Sequence, residues 1–260
     1  MRAIWTGSLS FGLINIPVRV YSATEQRALN FDMLHKKDLS PIRFARICKA
    51  DGKEVPYKDI VKGYEYQKGD YVILLDEDFK QASIKKTKTI DIQDFIEESE
   101  IDPLYYVKPY FLEPDKGADK AYVLLREALK KSKKVGLAKF VLHNREHLAV
   151  IKPFEQAILL YQLRYQEELR KPDTLHLPEK GTASAKEVTI ALKLIDQLTA
   201  HFEPEKYHDT YVEDLKGIIS DKLKGKKPSK AKGKTVKITE SKDIMALLKE
   251  SLESHHRKSA

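Results

Sequence analysis

Lys49-Ala50-Asp51-Gly52 matches the K-x-D-G pattern in which a DNA ligase lysine takes up AMP as a phosphoramidate. That chemistry also needs downstream carboxylates and lysines to hold the ribose, the metal and the triphosphate, and its usual Glu-Gly element occurs nowhere in the chain. Ala-Asp-Gly-Lys is, besides, an ordinary turn sequence. Gly233-Lys234-Thr235 matches the end of a phosphate-binding loop, but Pro228 stands where that loop demands glycine. Pro172-Asp173 with Asp214-x-Lys216 imitates the carboxylate pattern of a nuclease, yet its second half falls on an expected helix in a separate region. The eight histidines are scattered, with His255-His256 near the C-terminus and His208-Asp209 just ahead of a helix cap. His143 and His147 flank Asn144-Arg145, a hairpin turn that is expected to leave both in solvent. The single cysteine, Cys48, excludes an internal disulfide and a zinc ribbon. The expectation is a protein without catalytic residues, metal or cofactor.

What remains is basic chemistry. Arg27, Lys36, Lys37, Arg43, Arg46, Lys49 and Lys53 gather in one stretch, and Lys130, Lys131, Lys133 and Lys134 follow a helical pattern. Residues 222–237 hold eight lysines and no acid, Lys226, Lys227, Lys230, Lys232 and Lys234 among them. Phosphate contact is a natural use for such groups, a solvated face the plainer one. Removing those eight lysines from the 47 basic residues leaves 39 against 39 acidic ones, so the body is formally neutral. Any polyanion it binds must be held by local segregation of charge, not by a global field.

The elements that have to position these cations read as α+β, dominated by β. Ile14, Ile16, Val18 and Val20 alternate with polar residues and Pro17, the period of a half-buried strand. Seven candidate strands suggest a barrel or sandwich: 13–21, 71–75, 87–92, 105–111, 136–142, 147–153 and 157–165. A helix is expected from about 116 to 131, where Ala121, Leu124, Leu125, Ala128 and Leu129 recur at helical spacing. Between the first two strands, residues 24–65 are too many for a hairpin loop. Their interleaved Phe31, Ile42, Phe44, Ile47, Val55 and Tyr57 favour a projecting β-ribbon.

After Pro178 the texture turns helical. Ser184 and Glu187 are spaced as a capping box, and Thr210 with Glu213 repeat the spacing. Gly225, Pro228, Ser229 and Gly233 interrupt the lysine tract and make 224–237 a flexible linker. Beyond it Ile244, Leu247, Leu248 and Leu252 form a short apolar stripe, too short to be a stable helix without a partner surface. The organisation is therefore a core over 1–178 with an inserted arm at 24–65, a helical segment over 179–223, the linker, and a final helix and tail over 238–260. The longest apolar runs are five residues, against about 18 needed to span a bilayer. The lone cysteine points to a reducing, cytoplasmic compartment, and a nucleoid-associated place within it is expected only if the cations do hold DNA.

The opening MRAIWTGSLSFGL followed by Ile16-Pro17-Val18 resembles the start of bacterial Ku proteins. The likeness continues through Gly52-Lys53-Glu54-Val55-Pro56, residues 60–66 (IVKGYEY), residues 110–114 (YFLEP), Ala138-Lys139-Phe140-Val141 with Arg145-Glu146-His147-Leu148, and Tyr207-His208-Asp209. It covers essentially residues 1–250. The resemblance implies a seven-stranded barrel whose inserted arm reaches across a dyad, so that two copies close a ring around double-stranded DNA ends. It implies that Arg43 and Arg46, with Lys36 and Lys37 as neighbours, face phosphates, and that the last apolar stripe recruits an ATP-dependent DNA ligase of the end-joining pathway. It implies no enzymatic activity.

Overall fold

The computed structural model describes residues 1–26, 29–83, 88–143, 145–178, 181, 183–226 and 244–256. The chain divides into two units, 1–171 and 172–260.

The first unit is a closed barrel of seven strands: β1 (Trp5–Phe11), β2 (Ile14–Ser22), β5 (Thr89–Glu97), β6 (Tyr106–Pro114), β7 (Lys134–Leu142), β8 (Arg145–Phe154) and β9 (Ala157–Leu163). Around the barrel the order is β1-β2-β6-β9-β8-β7-β5, closed by a parallel contact of β5 with β1. All other neighbours in the barrel are antiparallel. Period-two alternation sends Ile16, Val18 and Val20 of β2 inward, where they meet Leu9, Ile90, Leu112, Ala149, Ile151, Ile158 and Leu160 in one apolar core. Closure leaves the barrel without a free sheet edge.

Helix α2 (Asp119–Ser132) buries Tyr122, Leu125 and Leu129 in that core. Its last turn carries Lys130 and Lys131, cations that suit the negative helix end. The Tyr122 hydroxyl donates to the Leu112 carbonyl and accepts from the Ile158 amide, both at 2.7 Å, joining the helix to β6 and β9.

The number of barrel strands matches the expectation, but one member differs. The candidate at 71–75 lies outside the barrel, as β4 (Asp70–Leu74) of a two-stranded ribbon with β3 (Lys62–Gln67). Its place is taken by β1, whose inward row of Trp5, Gly7, Leu9 and Phe11 alternates with Thr6, Ser8 and Ser10, a period that the glycine interrupts. A Cβ on Gly7 would sit 2.2 Å from the Lys88 carbonyl oxygen and 2.3 Å from the Trp5 ring. Glycine is therefore required where β1 closes against β5.

The second unit holds α3 (Ala185–Leu198), α4 (Thr210–Leu223) and α5 (Ile244–His256). The Ser184–Glu187 capping box forms in full, Ser184 N donating to Glu187 Oε2 at 2.7 Å and Glu187 N to Ser184 Oγ at 3.3 Å. At α4 the cap is Asp209, which accepts from Val212 N at 3.0 Å, and not Thr210. Aspartate one residue earlier caps Val212 N, and Glu213 N, the amide that a Thr210 cap would have taken, bonds instead to the Asp209 carbonyl at 3.2 Å.

Candidate functional site

The cations of the first stretch lie in the excursion that leaves β2 at Ser22 and returns at Thr89. It is longer than 24–65: besides β3 and β4 it contains α1 (Asp76–Ser83), with Lys62 over the Phe79 ring at 4.5 Å. Over 29–61 it forms no ladder. It is built from two turns with the same backbone hydrogen bonds, 13 residues apart (His35 to Cys48).

In the first turn His35 N donates to Ser40 O and Leu39 N to His35 O, both at 2.8 Å. In the second, Cys48 N donates to Lys53 O at 2.8 Å and Gly52 N to Cys48 O at 2.9 Å. Each turn has an aspartate three residues on that accepts from the chain: Ser40 N to Asp38 Oδ1 at 3.1 Å, Lys53 N to Asp51 Oδ1 at 3.2 Å. Each then needs a positive φ, 59° at Leu39 and 70° at Gly52. Bridges Leu34↔Pro41 and Ile47↔Glu54 close the two bases. The repeat escapes sequence inspection because HKKDLS and CKADGK share only Lys and Asp at corresponding places.

The turns decide what the cations can do. Lys36 and Lys37 occupy the tip of the first and Lys49 the matching place in the second, all exposed. Asp51 and Gly52, which make Lys49 look like a nucleotidyl-transfer residue, are spent on turn geometry. Arg43 is exposed and 3.5 Å from Glu54. Arg46 stacks 5.0 Å above the Tyr57 ring, an arrangement that holds the guanidinium without a carboxylate. Lys53 is exposed at the end of the second turn. No described residue from 29 to 61 is buried, and Phe31, Ile42, Phe44 and Ile47 face solvent. Over 29–61 the arm thus has no core of its own, and backbone hydrogen bonds close its turns.

The remaining expected cations are dispersed. Lys130, Lys131 and Lys133 are exposed at the end of α2, while Lys134 pairs with Glu97 at 2.6 Å. That pairing holds the Glu97 carboxyl below its ordinary range. Lys226 is exposed just beyond α4. Arg27, Lys227, Lys230, Lys232 and Lys234 lie outside the described residues.

One histidine expectation is corrected. His143 sits at a turn with φ 51°, but His147 is not left in solvent. It lies on the inward row of β8, half-buried, 5.5 Å from the Phe140 ring, with its Nδ1 3.0 Å from Gln162 Nε2. Burial is the leading cause that pushes its pKa down. The strand parity that buries Ala149 and Ile151 also applies to residue 147, and overrides proximity to the turn. Among the described residues no group of three or more His, Cys, Asp or Glu side chains could hold a metal ion.

The stripe on α5 divides. Leu248 and Leu252 are half-buried together with Met245, whereas Ile244 and Leu247 are exposed. Met245 is the residue that the sequence reading misses, although it continues the spacing of 248 and 252.

A closed mixed barrel, plugged by a helix and carrying a long inserted arm of cation-tipped turns, defines a β-barrel protein with exposed cations on an outlying arm. The family model described as the Ku70/Ku80 beta-barrel domain matches residues 10–190. Three relatives are each named non-homologous end joining protein Ku. That of Opitutus terrae is 44% identical over 97% of this chain and 91% of its own length. That of Bacillus subtilis is 38% identical over 99% of this chain and 83% of its own. That of Archaeoglobus fulgidus is 40% identical over 98% and 99%. The chain belongs to the Ku family.

Proposed function

We propose that this protein binds the ends of double-stranded DNA without reading sequence, as a homodimer whose two inserted arms close a ring, and serves non-homologous end joining as a scaffold and not as an enzyme. The observation that carries the reading is the repeated turn, which presents Lys36, Lys37 and Lys49 outward on an arm without a core while the body is formally neutral. Cations at tips of backbone-held turns suit phosphate contact, and phosphates carry no base information. Specificity for ends then comes from topology, because a ring must be threaded.

In this reading residues 24–65 are the bridge, with Arg27, Lys36, Lys37, Arg43, Arg46, Lys49 and Lys53 near DNA. Lys130, Lys131 and Lys133 are secondary contacts, and Lys134 contributes less because Glu97 neutralises it. Residues 179–223 are a helical arm. Lys226, Lys227, Lys230, Lys232 and Lys234 in the 224–237 tract add sequence-blind affinity. The 238–260 segment recruits an ATP-dependent DNA ligase through Ile244, Leu247, Leu248 and Leu252. Among the described residues no helix is long and apolar enough to cross a membrane; a place at the nucleoid follows from the DNA-binding reading alone.

The test is a band shift comparing a linear duplex with a relaxed closed circle of the same sequence. Tight binding to the linear form, resistant to excess circle, is expected; equal affinity for both would sink the ring. Labelled ATP with magnesium should leave no covalent adduct on Lys49.

A further inference from the structure

The apolar stripe of α5 meets part of its own chain. In the second unit α3 and α5 pack together, and a groove of about 310 Å³ between them is lined by Lys186, Thr189 and Ile190 from α3 and by Met245 and Lys249 from α5. Both helices show one-sided burial. On α3 the half-buried positions are Glu187, Ile190, Ala191, Leu194 and Gln197; on α5 they include Met245, Leu248 and Leu252. Spacings of three and four on each side are those of two helices packed along one seam.

The seam is shallow. None of these residues is fully buried, and Ile244 and Leu247 stay 37% and 41% exposed. A 13-residue helix is marginal without such support, so α5 is held chiefly by this contact. It is a contact of the strength that a competing helix can exchange.

We propose that the Ile190–Ala191–Leu194 face of α3 is a helix-docking seat occupied in cis by α5, so that the C-terminal helix is stored and a partner engages all of its apolar stripe only by drawing it off α3. This deepens the recruitment reading and rests on it for its consequence, though the seat itself does not. Ile244 and Leu247 are the residues available for first contact. Leu248 and Leu252 become available after release. The occupant is the helix already lying there, of matching apolar spacing and tethered by the same chain.

The seat can be tested without a ligase. The probe is a fluorescein-labelled peptide of residues 244–256, titrated against the full-length protein and read by anisotropy. Wild type, whose seat is filled, should bind it weakly. The full-length variant Leu248→Ser with Leu252→Ser, whose resident helix cannot hold, should bind it about tenfold more tightly, the effect expected when a competitor occupies about nine-tenths of the sites. Adding Ile190→Ser and Leu194→Ser to that variant should abolish the gain. Equal peptide affinity for wild type and the Leu248/Leu252 variant would overturn the proposal, as would a gain that survives loss of Ile190 and Leu194. A second measurement needs no substitution. An amine-reactive cross-linker should join Lys186 to Lys249 within one chain of the native protein, and free peptide in excess should suppress that link. Absence of the link, or a link found only between chains, would also overturn it. Ligase stimulation by the Leu248/Leu252 variant addresses the recruitment reading separately, so the two can fail independently.

Discussion

Replacing Tyr122 with phenylalanine deletes one oxygen atom and orphans two backbone groups. The Tyr122 side chain is 5% exposed, and its hydroxyl serves the Leu112 carbonyl and the Ile158 amide at 2.7 Å each. The ring remains and continues to fill the barrel, so there is no cavity to count. Each buried group left without a partner costs about 1–3 kcal/mol, and two of them, partly relaxed, should cost about 2–4 kcal/mol. That is a large share of the stability of an ordinary domain. The chain has one tryptophan, Trp5, on β1, so its emission reports unfolding of the barrel unit without signal from the helices of the second unit. Urea titration followed by Trp5 fluorescence should show a lower midpoint at unchanged slope. Val123→Ala, at a partly exposed neighbour, is the control and should fall by less than about 1 kcal/mol. A loss below about 0.5 kcal/mol in Tyr122→Phe would refute the claim that this hydroxyl ties α2 to the barrel wall.

Gly7→Ala places a methyl group against the Lys88 carbonyl and the Trp5 ring at once; the first is backbone and cannot rotate away, so the same titration should show a loss of at least about 2 kcal/mol. His147 should give acid sensitivity. Burial lowers its folded pKa below the ordinary histidine value of 6.5, so its contribution is fully present above that pH and is lost as pH falls toward the folded value, where the unfolded chain binds the extra proton. Melting temperatures from pH 7.5 to 5 should therefore fall more for wild type than for His147→Gln, and parallel curves would refute a titrating His147. Neutralising Lys36, Lys37 and Lys49 together should lower the slope of log affinity against log salt by about 0.9 for each phosphate no longer neutralised, equally for unrelated sequences. An unchanged slope, or an effect confined to one sequence, would show that the turn tips do not touch phosphates.

Much of the barrel was legible because alternation is a local property: a strand with one face in a core must repeat every second residue, as β2 does with Ile16, Val18 and Val20. The helix at α2 and the capping box at Ser184 were legible for the same reason, being defined within a few residues. Charge segregation was legible too, since the eight lysines between 222 and 237 and the neutrality of the rest are matters of composition. What composition and period could not decide was partnership. The 71–75 segment has strand character, but whether it joins a barrel or a free ribbon depends on residues far away in the chain. β1 alternates Trp5, Leu9 and Phe11 with polar residues, but that it closes the barrel shows only in its pairing with β5, where Gly7 meets Lys88.

The same division runs through the site. Residue types named the cations of the arm and of the α2 end, and the tertiary structure decided which are turned outward, which are stacked and which are neutralised: Lys36 at a tip, Arg46 on Tyr57, Lys134 on Glu97. The 13-residue repeat is invisible in the letters because it is written in main-chain hydrogen bonds, which many side chains permit. The stripe of α5 was plain from spacing, but its occupation by α3 was not, because an amphipathic helix specifies that it needs a surface and not whose. Local chemistry determined what each segment of this protein could be. Only long-range packing, with burial and pairing contributed by distant segments, decided which of those possibilities each residue is left to express.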